Sequence, residues 1–338
     1  MSTVIRSPNW IGDGIMSLPA IRAFKEHFPD ERLVVAAKRY LADIFLNIPE
    51  IDEIIPLPDR WTPRSFFSSL REFRRRRFDR GILFTNSFSS ALFFRLAGIG
   101  SSAGYSRDGR GGLLRERVPR GADRGHQQYY YLQIIEHLAG KRSCRDFPAA
   151  LVVSAAESAW ADAWLREQGL AGTPFLLAVS PSAAYGGAKA WPPDRFRELI
   201  RAWGASHPEN SVLLLGGPSE RERIAVVAAG LPGSVHNLAG LLSLRRSIAV
   251  LSRCRLFVGN DSGLMHIAAA LGLPLVAIFG PTEPGRTAPL ANRFRLLHHG
   301  ADCAPCQRRE CPVDHRCMTV VSVDEVLGAV AELWEGGR

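Results

Sequence analysis

Gly259-Asn260-Asp261-Ser262-Gly263-Leu264-Met265-His266-Ile267-Ala268-Ala269-Ala270, continued by Leu271-Gly272-Leu273-Pro274-Leu275-Val276-Ala277-Ile278-Phe279-Gly280-Pro281-Thr282, is the stretch that decides the fold. Leu256, Phe257 and Val258 form a short apolar run before it, and Asn260, Asp261 and Ser262 are residue types that cap helices. Leu264, Ile267, Ala268 and Leu271 then repeat at helical spacing. Leu275 to Phe279 is continuously apolar, the mark of a parallel strand buried on both faces. Strand, polar turn, helix, strand and a second tight turn therefore follow in order. Both turns fall at the carboxyl ends of adjacent strands, and one opens a helix whose free amides and dipole favour a phosphate. The plainer alternative is an ordinary crossover with a serine cap.

The same alternation extends outward. Thr3–Arg6, Leu33–Ala37, Arg80–Phe84, Phe175–Val179 and Ser211–Leu215 read as strands, with helices over Ile15–His27, Ser68–Arg77 and Asp194–Trp203. Strands alternating with helices imply parallel sheets covered by helices. Gly169–Pro174, where Gly and Pro cluster before a fresh strand, is a natural linker. The expected division is residues 1–168, residues 169–322 and a final helix, 323–338, that returns to the first domain.

Four further segments carry information: Pro8-Asn9-Trp10-Ile11-Gly12-Asp13-Gly14-Ile15-Met16-Ser17, His126 to Leu132, Tyr185-Gly186-Gly187-Ala188-Lys189-Ala190-Trp191-Pro192, and a late cysteine cluster. With the run Gly259 to Pro284, they resemble the ADP-heptose:lipopolysaccharide heptosyltransferases of glycosyltransferase family nine. The cysteines are most similar to those of the heptosyltransferase II branch. The landmarks run from residue 8 to residue 318. The resemblance implies a GT-B fold, two doubly wound Rossmann-like domains facing a central cleft. It also implies an inverting transfer of heptose from an ADP-heptose donor to an anionic lipopolysaccharide-core acceptor, with the second heptose of the inner core favoured. Other family-nine donors and acceptors, a nucleotide-sugar 2-epimerase and a non-catalytic glycolipid-binding protein are the rival readings.

Composition sets the outer bounds. The chain has 338 residues, 46% hydrophobic and 22% charged, long enough for two ordinary domains and too apolar for disorder. No apolar run approaches the roughly 20 residues of a membrane span, and no signal-peptide pattern opens the chain, so a cytoplasmic protein is expected. The net charge is +9, and almost all of the basic charge is arginine, since lysine occurs only at 25, 38, 141 and 189. One arginine group is Arg71, Arg74, Arg75, Arg76, Arg77 and Arg80; another is Arg107, Arg110, Arg115, Arg117, Arg120 and Arg124. Each is read as solvated surface, and together they suit an anionic glycolipid at a membrane face. No nucleic-acid-binding signature accompanies them.

At the first strand's end, Asn9-Trp10-Ile11-Gly12-Asp13-Gly14 lacks the glycines that would admit a dinucleotide pyrophosphate. That leaves Asp13 as a carboxylate at the ligand-binding edge or, alternatively, a helix cap. The resemblance implies a general base at this position. Lys189, in a glycine-rich loop, suits a leaving diphosphate, the role the resemblance implies, unless it is simply solvated. Ser182, Ala184 and Ala190 depart from the family's usual glycine, acidic and basic residues. Glu220 either holds the nucleoside or opens a helix as an N-terminal carboxylate. Asp261 is expected to orient the sugar, the amides near Ser262 and Gly263 to take phosphate oxygens, and His266 to be packed. Thr282 and Arg286 complete the candidate donor-binding set. No Asp-x-Asp pair occurs in the chain, so no cofactor is expected for catalysis. Cys303, Cys306, Cys311 and Cys317 form C-x2-C-x4-C-x5-C, open to structural Zn²⁺, an iron-sulfur cluster or free thiols. Cys144 and Cys254 read as isolated buried thiols.

Overall fold

The structure is a computed structural model that describes residues 1–119, 125–144 and 149–336. Arg120 and Arg124 of the second arginine group lie outside the described residues. The chain divides into two compact units, Met1–Val152 and Val153–Arg338. Among the described residues no helix is long and apolar enough to cross a membrane.

The first unit is built on six parallel strands: β1 (Ser2–Arg6), β2 (Arg32–Lys38), β3 (Glu53–Leu57), β4 (Arg80–Leu83), β5 (Ser101–Tyr105) and β6 (Glu116–Val118). Their order is β3-β2-β1-β4-β5-β6. The second unit has β7 (Leu176–Ser180), β8 (Ser211–Leu214), β9 (Val235–Asn237), β10 (Leu256–Asn260), β11 (Leu275–Ile278) and β12 (Phe294–Leu297). It repeats the same winding, in the order β12-β11-β10-β7-β8-β9. In each unit the chain winds outward one way, returns to the centre and winds outward the other way. Neighbouring loops diverge at the central pair, β1/β4 or β7/β10, and open a crevice beyond the strands' carboxyl ends. The expected pair of doubly wound α/β domains is present.

Continuous apolar runs became strands buried on both faces. Every residue of β7, β10 and β11 is buried, and Phe257 and Ile278 are wholly inaccessible. Phe196, Leu199, Ile200 and Trp203 of the helix Pro193–Ser206 fill the layer above.

Three expectations need correction. The helix Ala155–Glu167 belongs to the second unit, so the join falls near residue 152 and not at 168/169. Glu157 and Asp162 pair with Arg245 and Arg253 at 2.5 and 2.6 Å, tying this helix to Leu244–Leu251 and the turn after it. Gly169–Pro174 is then a turn between a helix and a strand of one unit. The last helix, Val323–Glu335, packs on Pro193–Ser206 and on β10, β11 and β12. Val326, Ala329, Val330 and Leu333 are its buried face, and the Trp334 ring packs at a tilt against Phe175, with ring centroids 4.0 Å apart. Its apolar face is buried within the second unit, the unit to which the helix belongs, and not the first as expected. Finally, Arg110 is no surface residue. It is fully buried, and Nε donates to the Tyr105 carbonyl at 2.9 Å while another guanidinium N–H donates to that of Thr85. Burial pushes its pKa down from the usual arginine value.

Candidate active site

At the switch point of the second sheet, the loop leaving β7 ends in the 3-10 turn Gly187–Lys189, and the loop leaving β10 opens the helix Gly263–Ala270. Ser262 caps that helix, its side chain accepting from the Met265 amide at 3.4 Å. The remaining amides of the first turn need a partner from outside the helix. Asn260 is wholly buried and braces the two loops, its Oδ1 accepting from the Trp191 amide at 2.9 Å. Lys189 and Asp261, 72 residues apart, meet here. Lys189 Nζ donates to Asp261 Oδ2 at 2.6 Å, and Thr282 Oγ1 donates to the same oxygen at 2.8 Å. Asp261 is only 5% exposed. Lys189, Asp261, Ser262, Gly263 and Thr282 therefore form one group, with a cation and a helix N-terminus side by side.

The other proposed donor contacts are placed less centrally. Glu220 Oε2 accepts from the Gly217 amide at 2.8 Å, so this carboxylate closes the turn after β8. Arg286 is exposed on the short helix Pro284–Thr287 that follows the Thr282 turn. His266 is buried within its helix, as expected of a packed residue. Sequence reasoning passed over Tyr185, whose ring lies 4.9 Å from Lys189 Nζ and 5.4 Å from the Arg309 guanidinium.

In the first unit, Asp13 lies inside the helix Ile11–Met16, whose N-cap is Trp10, so it is not the capping residue. Its Oδ1 instead accepts from the hydroxyl of Tyr131 at 2.7 Å, across 118 residues of sequence. Burial, reinforced by the Asp13 charge, holds the Tyr131 phenol well above its ordinary pKa, so it remains a donor. Gln127 Nε2 donates to the Tyr131 oxygen at 3.3 Å. Beside them Tyr130 stacks on Tyr105 at 4.2 Å and donates to Asn86 Oδ1 at 2.8 Å. Tyr131, Tyr130 and Asn86 were not anticipated as site residues. Three consecutive tyrosines in the first turns of a helix were the available signal.

The four cysteines of the late cluster are free and, with His315, line one cavity of about 260 Å³ that also touches Ala188 and Pro281. Burial, and then the neighbouring Cys303, Cys311 and Cys306, push the Cys317 thiol up. The sulfurs share a cavity without converging: among the described residues no three His, Cys, Asp or Glu side chains are grouped to hold an ion. His315 Nε2 is already engaged with the Ala188 carbonyl at 2.8 Å. Cys254 is buried as read from sequence, and its thiol is pushed up to about 12 by burial, whereas Cys144 is exposed.

A further surface belongs to the first arginine group. The helix Pro63–Arg76, capped by Thr62 and Ser65, presents Arg64, Phe67, Arg71, Arg74 and Arg75 outward. Phe67 is 65% exposed and Trp61 before it 42%. Arg74 donates to the carbonyl of Leu96, itself exposed, at 3.0 Å. Arg76 is different, being paired with Glu53 and Glu72.

Comparison with known proteins gives three kinds of match. The model of glycosyltransferase family 9 (heptosyltransferase) matches residues 66–316. Lipopolysaccharide heptosyltransferase 2 of Escherichia coli strain K12 is 30% identical over 319 residues, covering 88% of each chain. The solved structure of the E. coli ADP-heptose lps heptosyltransferase II superposes with a TM-score of 0.84 at 26% identity, covering 100% of this chain and 99% of that one. An E. coli heptosyltransferase solved with ADP shares the fold, with a TM-score of 0.75, 21% identity and coverage of 98% and 100%.

Proposed function

Because the chain belongs to glycosyltransferase family 9, we propose that it moves heptose from ADP-L-glycero-D-manno-heptose to the lipopolysaccharide inner core, adding the second heptose. That it is a glycosyltransferase of the heptosyltransferase kind follows from the family and the relatives. The epimerase and non-catalytic readings have no comparable support. One observation carries the donor assignment: Lys189, Asp261 and the helix cap Ser262 meet where the strand order of the second sheet reverses. A relative solved with ADP supports the nucleotide.

In the proposed reaction Asp13 takes the proton from an acceptor hydroxyl, whose oxygen attacks the anomeric carbon opposite the departing ADP. The anomeric centre inverts in this single displacement. Tyr131 donates to Asp13 Oδ1 and so fixes the orientation of the carboxylate that takes that proton. Negative charge develops on the leaving diphosphate, where Lys189 and the amides at Ser262 and Gly263 stabilise it. Thr282 holds Asp261, and Asp261 in turn holds Lys189 or releases it to the phosphates. Glu220 and Arg286 remain outer donor contacts in this reading. Fixed cations do the work of a divalent ion, so no cofactor is required. The four cysteine sulfurs are a soft donor set suited to structural Zn²⁺. Holding it would require the segment to close around the ion.

The acceptor reading extends to the surface. Phe67 and Trp61 among Arg64, Arg71, Arg74 and Arg75 match the chemistry of an anionic bilayer: aromatic side chains for the interface, arginines for the headgroups. We place this helix against the cytoplasmic face of the inner membrane. The test of the whole reading is the purified protein with ADP-heptose and a truncated lipid acceptor carrying one heptose. ADP release that depends on this acceptor is expected; release without acceptor, or transfer only to a heptose-free acceptor, would refute the assignment.

A further inference from the structure

Besides the donor group itself, the cysteine-rich segment makes several long-range contacts with the loop that carries Lys189. The Tyr185 hydroxyl donates to the Gln307 carbonyl at 2.8 Å. The Gly187 amide donates to Glu310 Oε1 at 3.2 Å, and the Ala188 amide to the Arg309 carbonyl at 2.9 Å. His315 Nε2 meets the Ala188 carbonyl at 2.8 Å; a carbonyl only accepts, so this nitrogen carries the proton. The segment also reaches the second turn, the Gln307 amide donating to the Pro281 carbonyl at 2.8 Å. The approach is too close for side chains. Gly186 has φ +155°, and a Cβ there would stand 2.2 Å from the Arg309 oxygen. A Cβ at Gly280 would stand 2.3 Å from Met318 Sδ and 3.0 Å from Cys317 Sγ.

We infer that the segment 303–317 is a positioning element of the donor site: it fixes the backbone of residues 185–188 and, through it, the Lys189 ammonium that meets the diphosphate. Glu310 and His315 are positioning residues, touching the loop and not the donor. This rests on the reading of Lys189 as a diphosphate ligand. It differs from the view of the cluster as a remote structural knob, because loosening the segment changes donor affinity and not only stability.

The test compares Glu310→Ala, Glu310→Gln, His315→Ala and Lys189→Met by ADP calorimetry, by KM for ADP-heptose and by KM for the acceptor. Glu310 is exposed, so its variants keep the fold, which an unchanged melting temperature verifies. Losing one such hydrogen bond should weaken ADP and raise the donor KM about three- to tenfold, with the acceptor KM within about twofold. Glu310→Gln keeps an oxygen for the Gly187 amide and should restore most of the affinity. Equal loss in Gln and Ala variants would assign the effect to charge and overturn the positioning argument. If Lys189→Met weakens ADP while Glu310→Ala and His315→Ala do not, the segment positions nothing and the donor reading stands. If Lys189→Met leaves ADP affinity intact, the donor reading fails and takes this inference with it.

Discussion

Replacing Lys189 by methionine should damage stability as well as binding, and a second substitution should repair only the stability. Asp261 is 5% exposed and the Lys189 side chain 13%, so the pair is largely withdrawn from water. Removing the lysine leaves a buried carboxylate that still accepts a hydrogen bond from the Thr282 hydroxyl but has lost its cation. Breaking such a pair from one side costs about 3–5 kcal/mol, and the lower end applies here because the lysine keeps some solvent. At about 3 kcal/mol, a unit of this size should lose roughly 6–12 °C of melting temperature. In Lys189→Met/Asp261→Asn no charge is stranded, and the amide oxygen still accepts from Thr282. The double variant should therefore recover about 2 kcal/mol relative to Lys189→Met, a coupling measurable by a double-mutant cycle in urea. ADP affinity should stay low in both, since neither has the cation. A double variant no more stable than Lys189→Met would show that the pair is not coupled in the folded protein. Recovery of ADP binding in the double variant would show that Lys189 does not act on the diphosphate.

Asp13→Asn should lower turnover about 10²- to 10⁴-fold with ADP affinity nearly unchanged by calorimetry; near wild-type turnover would dismiss it as the base. Tyr131→Phe removes the 2.7 Å hydrogen bond to Asp13 and should cut kcat about tenfold while the donor KM holds; an unchanged kcat would leave Tyr131 a packing residue. Arg245's hydrogen bonds lower Glu157 from 4.5 to about 2 in the folded state. A carboxylate depressed in this way stabilises fully above its unfolded value and loses that contribution as pH falls through about 4.5 towards about 2. Discounted for its 25% exposed side chain, the contribution is about 1–2 kcal/mol. Glu157→Gln should thus be less stable than the parent at pH 6, and the gap should close on acidification, read by tryptophan fluorescence in urea; a pH-independent gap would refute the linkage. Transfer at saturating donor should persist in excess EDTA without added Mg²⁺; loss of turnover in the still-folded protein, restored by Mg²⁺, would overturn the metal-free mechanism.

The sheets were legible because a strand buried on both faces must be apolar throughout, as Leu275–Ile278 is. The crevice was less so. That β7 lies beside β10 is fixed by winding over some eighty residues, and no local pattern reports it. For the same reason Lys189 and Asp261 could each be nominated as donor residues without their direct pairing being foreseen. Asp13 was found from its place after β1, whereas Tyr131, 118 residues later, has no local signature linking it to that acid. Arg110 was misjudged because charge was weighed without topology: at the carboxyl ends of β4 and β5 exposed carbonyls collect, and a guanidinium can satisfy several at once. The last helix and the helix Ala155–Glu167 were misassigned because an amphipathic pattern says that one face is buried and not which sheet buries it.

The contact between Gly186 and the Arg309 carbonyl also constrains how this protein can diverge. A loop that rests directly on another loop's backbone cannot change length or gain a side chain alone. Insertions or deletions within 303–317 should be inherited together with compensating changes at 185–188, while the exposed turns of the same unit drift freely. A lineage that discards the cysteine segment would remove the backbone that crowds position 186, while Met318 would still crowd position 280. Swapping this segment between homologues should therefore succeed only when the lysine-bearing loop travels with it.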